Sequence, residues 1–178
     1  MDGSTRVAST SDLSAAELGA VHDLMLVAFS GDFSQEDWEH TIGGHHFLNE
    51  IDGSVVTHAS VIERTIEVDG QPFRTGYVEG VGTHPDLRRR GHGSAVVAAA
   101  TSHIRNNYEF GALGTSSFAF YERLGWERWK GPTYVRANDR LLHTAEEDGF
   151  VMVLRFGASA AVDLASPIAC DPRSGDVW

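Results

Sequence analysis

Tyr77-Val78-Glu79-Gly80-Val81-Gly82-Thr83-His84, then Pro85-Asp86-Leu87, then Arg88-Arg89-Arg90-Gly91-His92-Gly93, then Ser94 to Ala100, is the stretch on which the fold turns. Its first block carries β-favouring residues at Tyr77, Val78, Val81 and Thr83 and reads as a strand. Pro85 ends that strand, because proline cannot donate to a ladder and restricts the residue before it. Gly91 and Gly93 then open a helix whose body is rich in alanine and valine. Free N–H groups at a helix start point at an anion, and the aligned peptide dipoles favour a surface negative charge there by about 0.3–1 kcal/mol. Arg88, Arg89 and Arg90 add positive potential just outside, so the Arg88–Ser94 segment reads as a cradle for a diphosphate. The spacing is neither the G-x-G-x-x-G of a dinucleotide fold nor that of a P-loop, which needs a lysine after its last glycine.

Upstream, Thr5 to Ser9 reads as a short strand, and Ser14-Ala15-Ala16-Glu17 is a capping box. Leu18, Val21, Leu24, Met25 and Ala28 follow at helical spacing, which places a helix at about 14–28. Ser34 and Asp37 form a second capping box, so a short helix is expected to begin near Ser34. Asp52-Gly53 and Asp69-Gly70 each sit between β-rich runs and favour the type I′ turn that suits strand twist. Strands are expected over His45–Glu50, Ser54–Arg64, Thr65–Val68 (separate from the strand before it or continuous with it) and Phe73–Thr83, as an antiparallel meander leading into the central strand. Downstream of the cradle helix (about Gly91–Asn106), Phe110–Gly114 reads as a strand, Ser116–Leu124 as a helix ended by Gly125, and Phe150–Phe156 as a late strand. Counted in order, these elements give an α+β order: strand, helix, helix, antiparallel strands, then the cradle, a β-α unit of the kind parallel strands need, and closing strands.

Charge narrows the partners. Twenty-five acidic residues against fourteen basic ones give a formal net charge of −11, which disfavours nucleic acid, since its binding needs clustered positive charge. The same field raises the local concentration of a polycationic small molecule. No apolar run approaches the ~20 residues of a membrane span, and no signal-peptide pattern opens the chain. The single cysteine, Cys170, excludes an intramolecular disulfide framework and suits a reducing cytoplasm. His40, His45, His46 and His58 invite a metal reading, but no carboxylate or cysteine completes a zinc spacing, and no metal is expected.

Arg88, Gly91 and Gly93 are in register with the R/Q-x-x-G-x-G/A acetyl-CoA signature, and on this the chain resembles the GNAT acyltransferases. A narrower resemblance covers Phe29 to Trp178: Phe29-Ser30-Gly31-Asp32-Phe33, Trp38 to Gly44, Gly76 to Val81, Leu113 to Trp126, Lys130-Gly131-Pro132 and the terminal Gly175-Asp176-Val177-Trp178. In these pieces the chain is similar to the aminoglycoside 2′-N-acetyltransferases within that superfamily. It departs from their pattern between Leu113 and Tyr121, where it is shorter.

The resemblance implies one GNAT domain over residues 1–178, with a mixed central sheet splayed open and flanked by helices, and a tail, 170–178, docking at the acceptor site. It implies acetyl-CoA as co-substrate, an aminoglycoside as acceptor, a homodimer, and antibiotic resistance as the outcome. Val81, Gly82 and Thr83 join Arg88, Arg89, Arg90, Gly91, His92, Gly93 and Ser94 as coenzyme contacts. Glu79 takes the position of a general base acting through a water, or of a charge partner only, and Tyr121 that of the acid which protonates the departing thiolate. A backbone N–H near Val81 would meet the tetrahedral oxyanion. Asp32, Asp37, Glu79, Gly80, Asp148, Asp176 and Trp178, through its terminal carboxylate, match the acceptor contacts. The rival readings are a GNAT enzyme for another cationic amine, such as a polyamine or a cell-wall amino sugar, and a non-catalytic acyl-CoA binding module.

Overall fold

The computed structural model describes residues 5–178. The chain forms two compact units, residues 5–62 with 78–102 and residues 63–77 with 103–178. Two long strands belong in part to each.

The first unit opens with β1 (Arg6–Ser9), a single 3-10 turn (Thr10–Asp12) and helix α1 (Ala15–Ala28). Ser14 caps α1 reciprocally with Glu17: the Glu17 N–H donates to Ser14 Oγ at 3.2 Å and the Ser14 N–H donates to the Glu17 carboxylate at 2.8 Å. Two of the four orphan donors of the helix start are thereby satisfied. Val21, Leu24 and Met25 are its buried face. Helix α2 (Gln35–Thr41) starts the same way, with Ser34 and Asp37 exchanging bonds of 2.8 and 3.1 Å. Strand β2 (His45–Ile51) then pairs antiparallel with both β1 and the first part of β3 (Ser54–Val68). Asp52 and Gly53 both have positive φ (49° and 76°), the geometry of the type I′ turn expected there. Leu13, Val21 and Leu48 pack together beneath this sheet, with Leu18, Trp38 and Val55 against them.

The second part of β3 and the first part of β4 (Gln71–Thr83) belong to the second unit, joined by another Asp-Gly turn at positive φ (Asp69 50°, Gly70 79°). β3 is one strand of fifteen residues, so Arg64 makes no break in it. Helix α3 (His92–Asn107) leads to β5 (Phe110–Gly114), which runs parallel to β4 through the pairs Thr75↔Phe110 to Tyr77↔Ala112. Helix α4 (Phe118–Glu122) is shorter than the sequence pattern suggests. Its start is delayed because the Ser117 N–H donates to Thr115 Oγ1, and its end is closed by Gly125 at φ 88°.

The remaining strands are β6 (Glu127–Arg128), β7 (Thr133–Ala137), β8 (Arg140–His143), β9 (Val151–Leu154) and β10 (Ile168–Cys170). Strand order in this unit is β6-β9-β5-β4-β3-β10-β7-β8, with β10 antiparallel to β3 and parallel to β7. Tyr77, Phe110, Trp129, Val153, Ile168 and Trp178 lie in its core.

Candidate active site

The turn into α3 is built around residues that only special backbone angles allow. Gly91 sits at φ 90° and Arg89 at φ 61°, so the loop doubles back before the helix starts at His92. Nothing lies within 4 Å of a Cβ built on Gly91, so its role is conformational rather than steric. Arg88 does structural service here: its Nη2 donates to the Ala28 carbonyl at 2.6 Å and its Nε to Thr83 O at 3.4 Å, which ties the loop to the end of α1. Arg89 and Arg90 are exposed beside the glycines. The start of a sixteen-residue helix with two solvated guanidiniums beside it fits a polyphosphate.

On β4 the same unit holds Glu79, half-buried, and Gly80 at φ 51°. A Cβ on Gly80 would lie 2.8 Å from both Thr41 Cγ2 and Oγ1, so both conformation and space demand glycine. The two carbonyls receive side-chain donors from β3: Ser60 Oγ donates to Glu79 O at 3.3 Å, and His58 Nδ1 lies 2.7 Å from Gly80 O. Asp32 is exposed in the α1–α2 loop, where the Phe29 and Phe33 rings stack at 5.4 Å. Asp37 is half-buried, and one of its oxygens caps α2.

The second unit holds the other candidates. Tyr121 is buried on α4, edge-on to Phe120 at 4.9 Å and to Trp126 at 6.3 Å. An open groove along this helix is lined by Ser116, Ser117, Phe118, Phe120, Glu122 and Arg128.

Asp148, Asp176 and Trp178 are brought together. The buried Trp178 indole donates to Thr144 Oγ1 at 3.1 Å, Thr144 donates to Thr133 Oγ1 at 2.7 Å, and Thr133 Oγ1 lies 2.9 Å from Asp148 Oδ1. The Trp178 N–H donates to Asp176 Oδ1 at 3.3 Å. Burial pushes the Asp148 carboxyl up, but the Thr133 amide at 2.8 Å and His143 at 2.8 Å outweigh it and hold the group below the usual carboxylate range. Asp148 is therefore already organised by the protein, and D148A is expected to cost about 1–3 kcal/mol of stability because the buried Thr133 N–H loses its acceptor; urea unfolding checks this.

One acidic group in this unit escapes a reading based on spacing. Glu147 is shifted upward by burial first, then by the charges of Asp176 and Glu146. The signal available in the sequence was only the acidic run Glu146-Glu147-Asp148.

The tail that carries Asp176 and Trp178 is fastened at several points. Arg64 Nε donates to Asp171 Oδ1 at 2.9 Å and its Nη2 to Asp171 O at 2.8 Å. Arg173 Nε donates to Asp176 O at 2.7 Å and its Nη2 to Trp178 O at 3.2 Å. The Arg64 and Arg173 guanidiniums lie 4.7 and 5.4 Å from the Tyr77 ring centroid. A Cβ on Gly114 would be 3.4 Å from the Trp178 carbonyl carbon, so the last residue lies against the end of β5. Among the described residues no group of three or more His, Cys, Asp or Glu is placed to hold a metal ion. None of the helices among them is long and apolar enough to cross a membrane.

Residues 10–129 match the acetyltransferase (GNAT) domain family. The chain is 37% identical over 177 residues to an aminoglycoside 2′-N-acetyltransferase of Mycolicibacterium fortuitum, a match that covers 97% of this chain and 91% of that protein. Among solved structures it is similar to a GNAT family N-acetyltransferase (YhbS) from Escherichia coli in complex with CoA (TM-score 0.65, 12% identity, 96% of this chain and 91% of that one). It is also similar to a GCN5-related N-acetyltransferase from Kribbella flavida (TM-score 0.56, 19% identity, 73% of this chain), of whose length the match spans 34%. The chain belongs to the GNAT acetyltransferase family, with the α+β fold expected of it.

Proposed function

We propose that the protein transfers the acetyl group of acetyl-CoA to the 2′-amino group of an aminoglycoside, and so confers resistance to such antibiotics. The observation that carries this reading is the 37% identity to an aminoglycoside 2′-N-acetyltransferase across 97% of the chain. The placement of carboxylates in each unit supports it, because an acceptor bearing several ammonium groups needs many acceptors of charge-assisted hydrogen bonds.

In this reading the diphosphate of acetyl-CoA lies on the α3 start, against Arg89, Arg90, Gly91, His92, Gly93 and Ser94, with the thioester arm along Val81, Gly82 and Thr83. Glu79, through a water, takes one proton from the acceptor's ammonium, and the neutral amine so formed attacks the thioester carbon. The Val81 N–H meets the oxyanion of the tetrahedral intermediate. Collapse breaks the carbon–sulfur bond, Tyr121 gives its proton to the departing thiolate, and the second proton shed by the product's amide nitrogen restores the Tyr121 hydroxyl. Asp32 and Asp37 on one side of the chain's order, and Asp148, Asp176 and Trp178 on the other, are the acceptor contacts. The working form is a homodimer in the cytoplasm.

Thiol release measured across a panel of amines tests this. Gentamicin and tobramycin should be acetylated, whereas kanamycin A, with a 2′-hydroxyl, should not. Turnover of polyamines alone would move the reading to another cationic amine. Coenzyme binding without thiol release against any amine would overturn catalysis itself.

A further inference from the structure

Within the first unit, a file of hydrogen bonds runs from the end of α2 to the Gly80 carbonyl. The Gly43 N–H donates to Thr10 Oγ1 at 2.8 Å, Thr10 Oγ1 lies 2.7 Å from His46 Nε2, His46 Nδ1 lies 2.8 Å from His58 Nε2, and His58 Nδ1 lies 2.7 Å from Gly80 O. Both imidazoles are fully buried. A carbonyl can only accept, so His58 must carry its hydrogen on Nδ1 and present a bare Nε2. His46 must then donate from Nδ1 and accept on Nε2, and Thr10 must donate to it. With neutral rings every link has one direction, set from the Gly80 carbonyl, and the Thr10 hydroxyl takes His46 Nε2 at 2.7 Å over its other acceptor, the Gly44 carbonyl at 3.3 Å.

Such a file cannot relay a catalytic proton, because it terminates on an amide at each end. It can hold a peptide still. The Gly80–Val81 peptide is trans and planar, so its N–H points opposite to its C=O, and a grip on the carbonyl aims the amide of Val81. At φ 51° Gly80 sits where a strand would not hold it unaided, and Thr41 closes the space above its Cα.

We infer that His46 and His58 are positioning residues for acetyl transfer: locked as a neutral Nδ1–H pair, they fix the Gly80–Val81 peptide and link it to the loop that follows α2, the helix that carries Asp37. This rests on the reading of Val81 as the oxyanion donor. Burial supports it independently, holding His46 down to about 4 and His58 to about 3, so neither imidazole is charged under ordinary assay conditions.

Two measurements test it. Long-range proton–nitrogen correlation spectra of imidazole-labelled wild-type protein should show both histidines as the Nδ1–H tautomer, unchanged between pH 8 and 6; an Nε2–H tautomer at His58 would overturn the inference whatever the activity. In kinetics, H58N, whose amide nitrogen stands where Nδ1 does, should keep kcat within about threefold, while H58L should lower kcat by about tenfold or more with both KM values held within about twofold. Equal kcat losses in H58N and H58L, or none in either, would remove the positioning role. If wild type releases no thiol with any amine, the proposed function falls, and the tautomer spectra still decide the histidine pair.

Discussion

Replacing Tyr121 with phenylalanine is expected to lower kcat by about 10²-fold or more, the usual contribution of a positioned acid, while the KM for acetyl-CoA changes by no more than about twofold. The substitution removes one oxygen and keeps the ring that packs edge-on to Phe120 and Trp126. A packing role would therefore leave kcat intact and shift only the unfolding midpoint. The partner experiment is E79Q, which keeps size and removes the charge. If Glu79 is the base, kcat falls by about 10²-fold at neutral pH and recovers as pH rises, because the free amine then forms without help. If Glu79 only holds the acceptor's charge, the acceptor KM rises and kcat stays. Full kcat in both variants would end the acid–base assignment.

The second large effect concerns stability against pH. In the unfolded chain His46 and His58 take a proton near pH 6.5, and in the fold only near 4 and 3, so between those values the unfolded state binds more protons. Their contribution is therefore complete above pH 6.5 and is lost as pH falls toward the folded values. The slope is at most ~1.4 kcal/mol per pH unit for each group. Asp12, Glu17, Glu127 and Asp148, all shifted downward, lose their contributions only at lower pH, near the ordinary carboxylate range. Glu147, shifted upward, acts with the opposite sign, its contribution being lost as pH rises through its folded value. Urea unfolding between pH 6.5 and 5 should show a steep fall in wild type and a shallower one in H58N. Parallel curves would mean that His58 is not held neutral.

Much of this architecture is legible in local chemistry. The Asp52-Gly53 and Asp69-Gly70 turns, the caps at Ser14 and Ser34, and Gly91 just before α3 each act through a neighbour or two in sequence, and each is found where the residues put it. β7, β8 and β10 are not readable that way. β10 has three residues and exists because β3 and β7 lie on either side of it, partners about 100 and 35 positions away. The histidine pair is hidden for a related reason. Read alone, His46 and His58 look like half of an incomplete metal set. The hairpin at Asp52-Gly53 pairs His46 with Ser60 and Leu48 with His58, so the rings become diagonal neighbours only once the register is known. Among the acceptor candidates, Asp148 and Asp176 stand out through resemblance, while Glu147 differs from them only by its burial, which no spacing reveals.

The direction of the file that ends on Gly80 has an electronic consequence as well as a geometric one. Hydrogen bonds laid head to tail polarise one another, by about 10–30% per bond in condensed-phase estimates. Electron density drawn onto the Gly80 oxygen is supplied through amide resonance from the Val81 nitrogen, which leaves its hydrogen more acidic. The same two rings that aim this N–H therefore also sharpen it as a donor toward negative charge, without carrying any charge themselves.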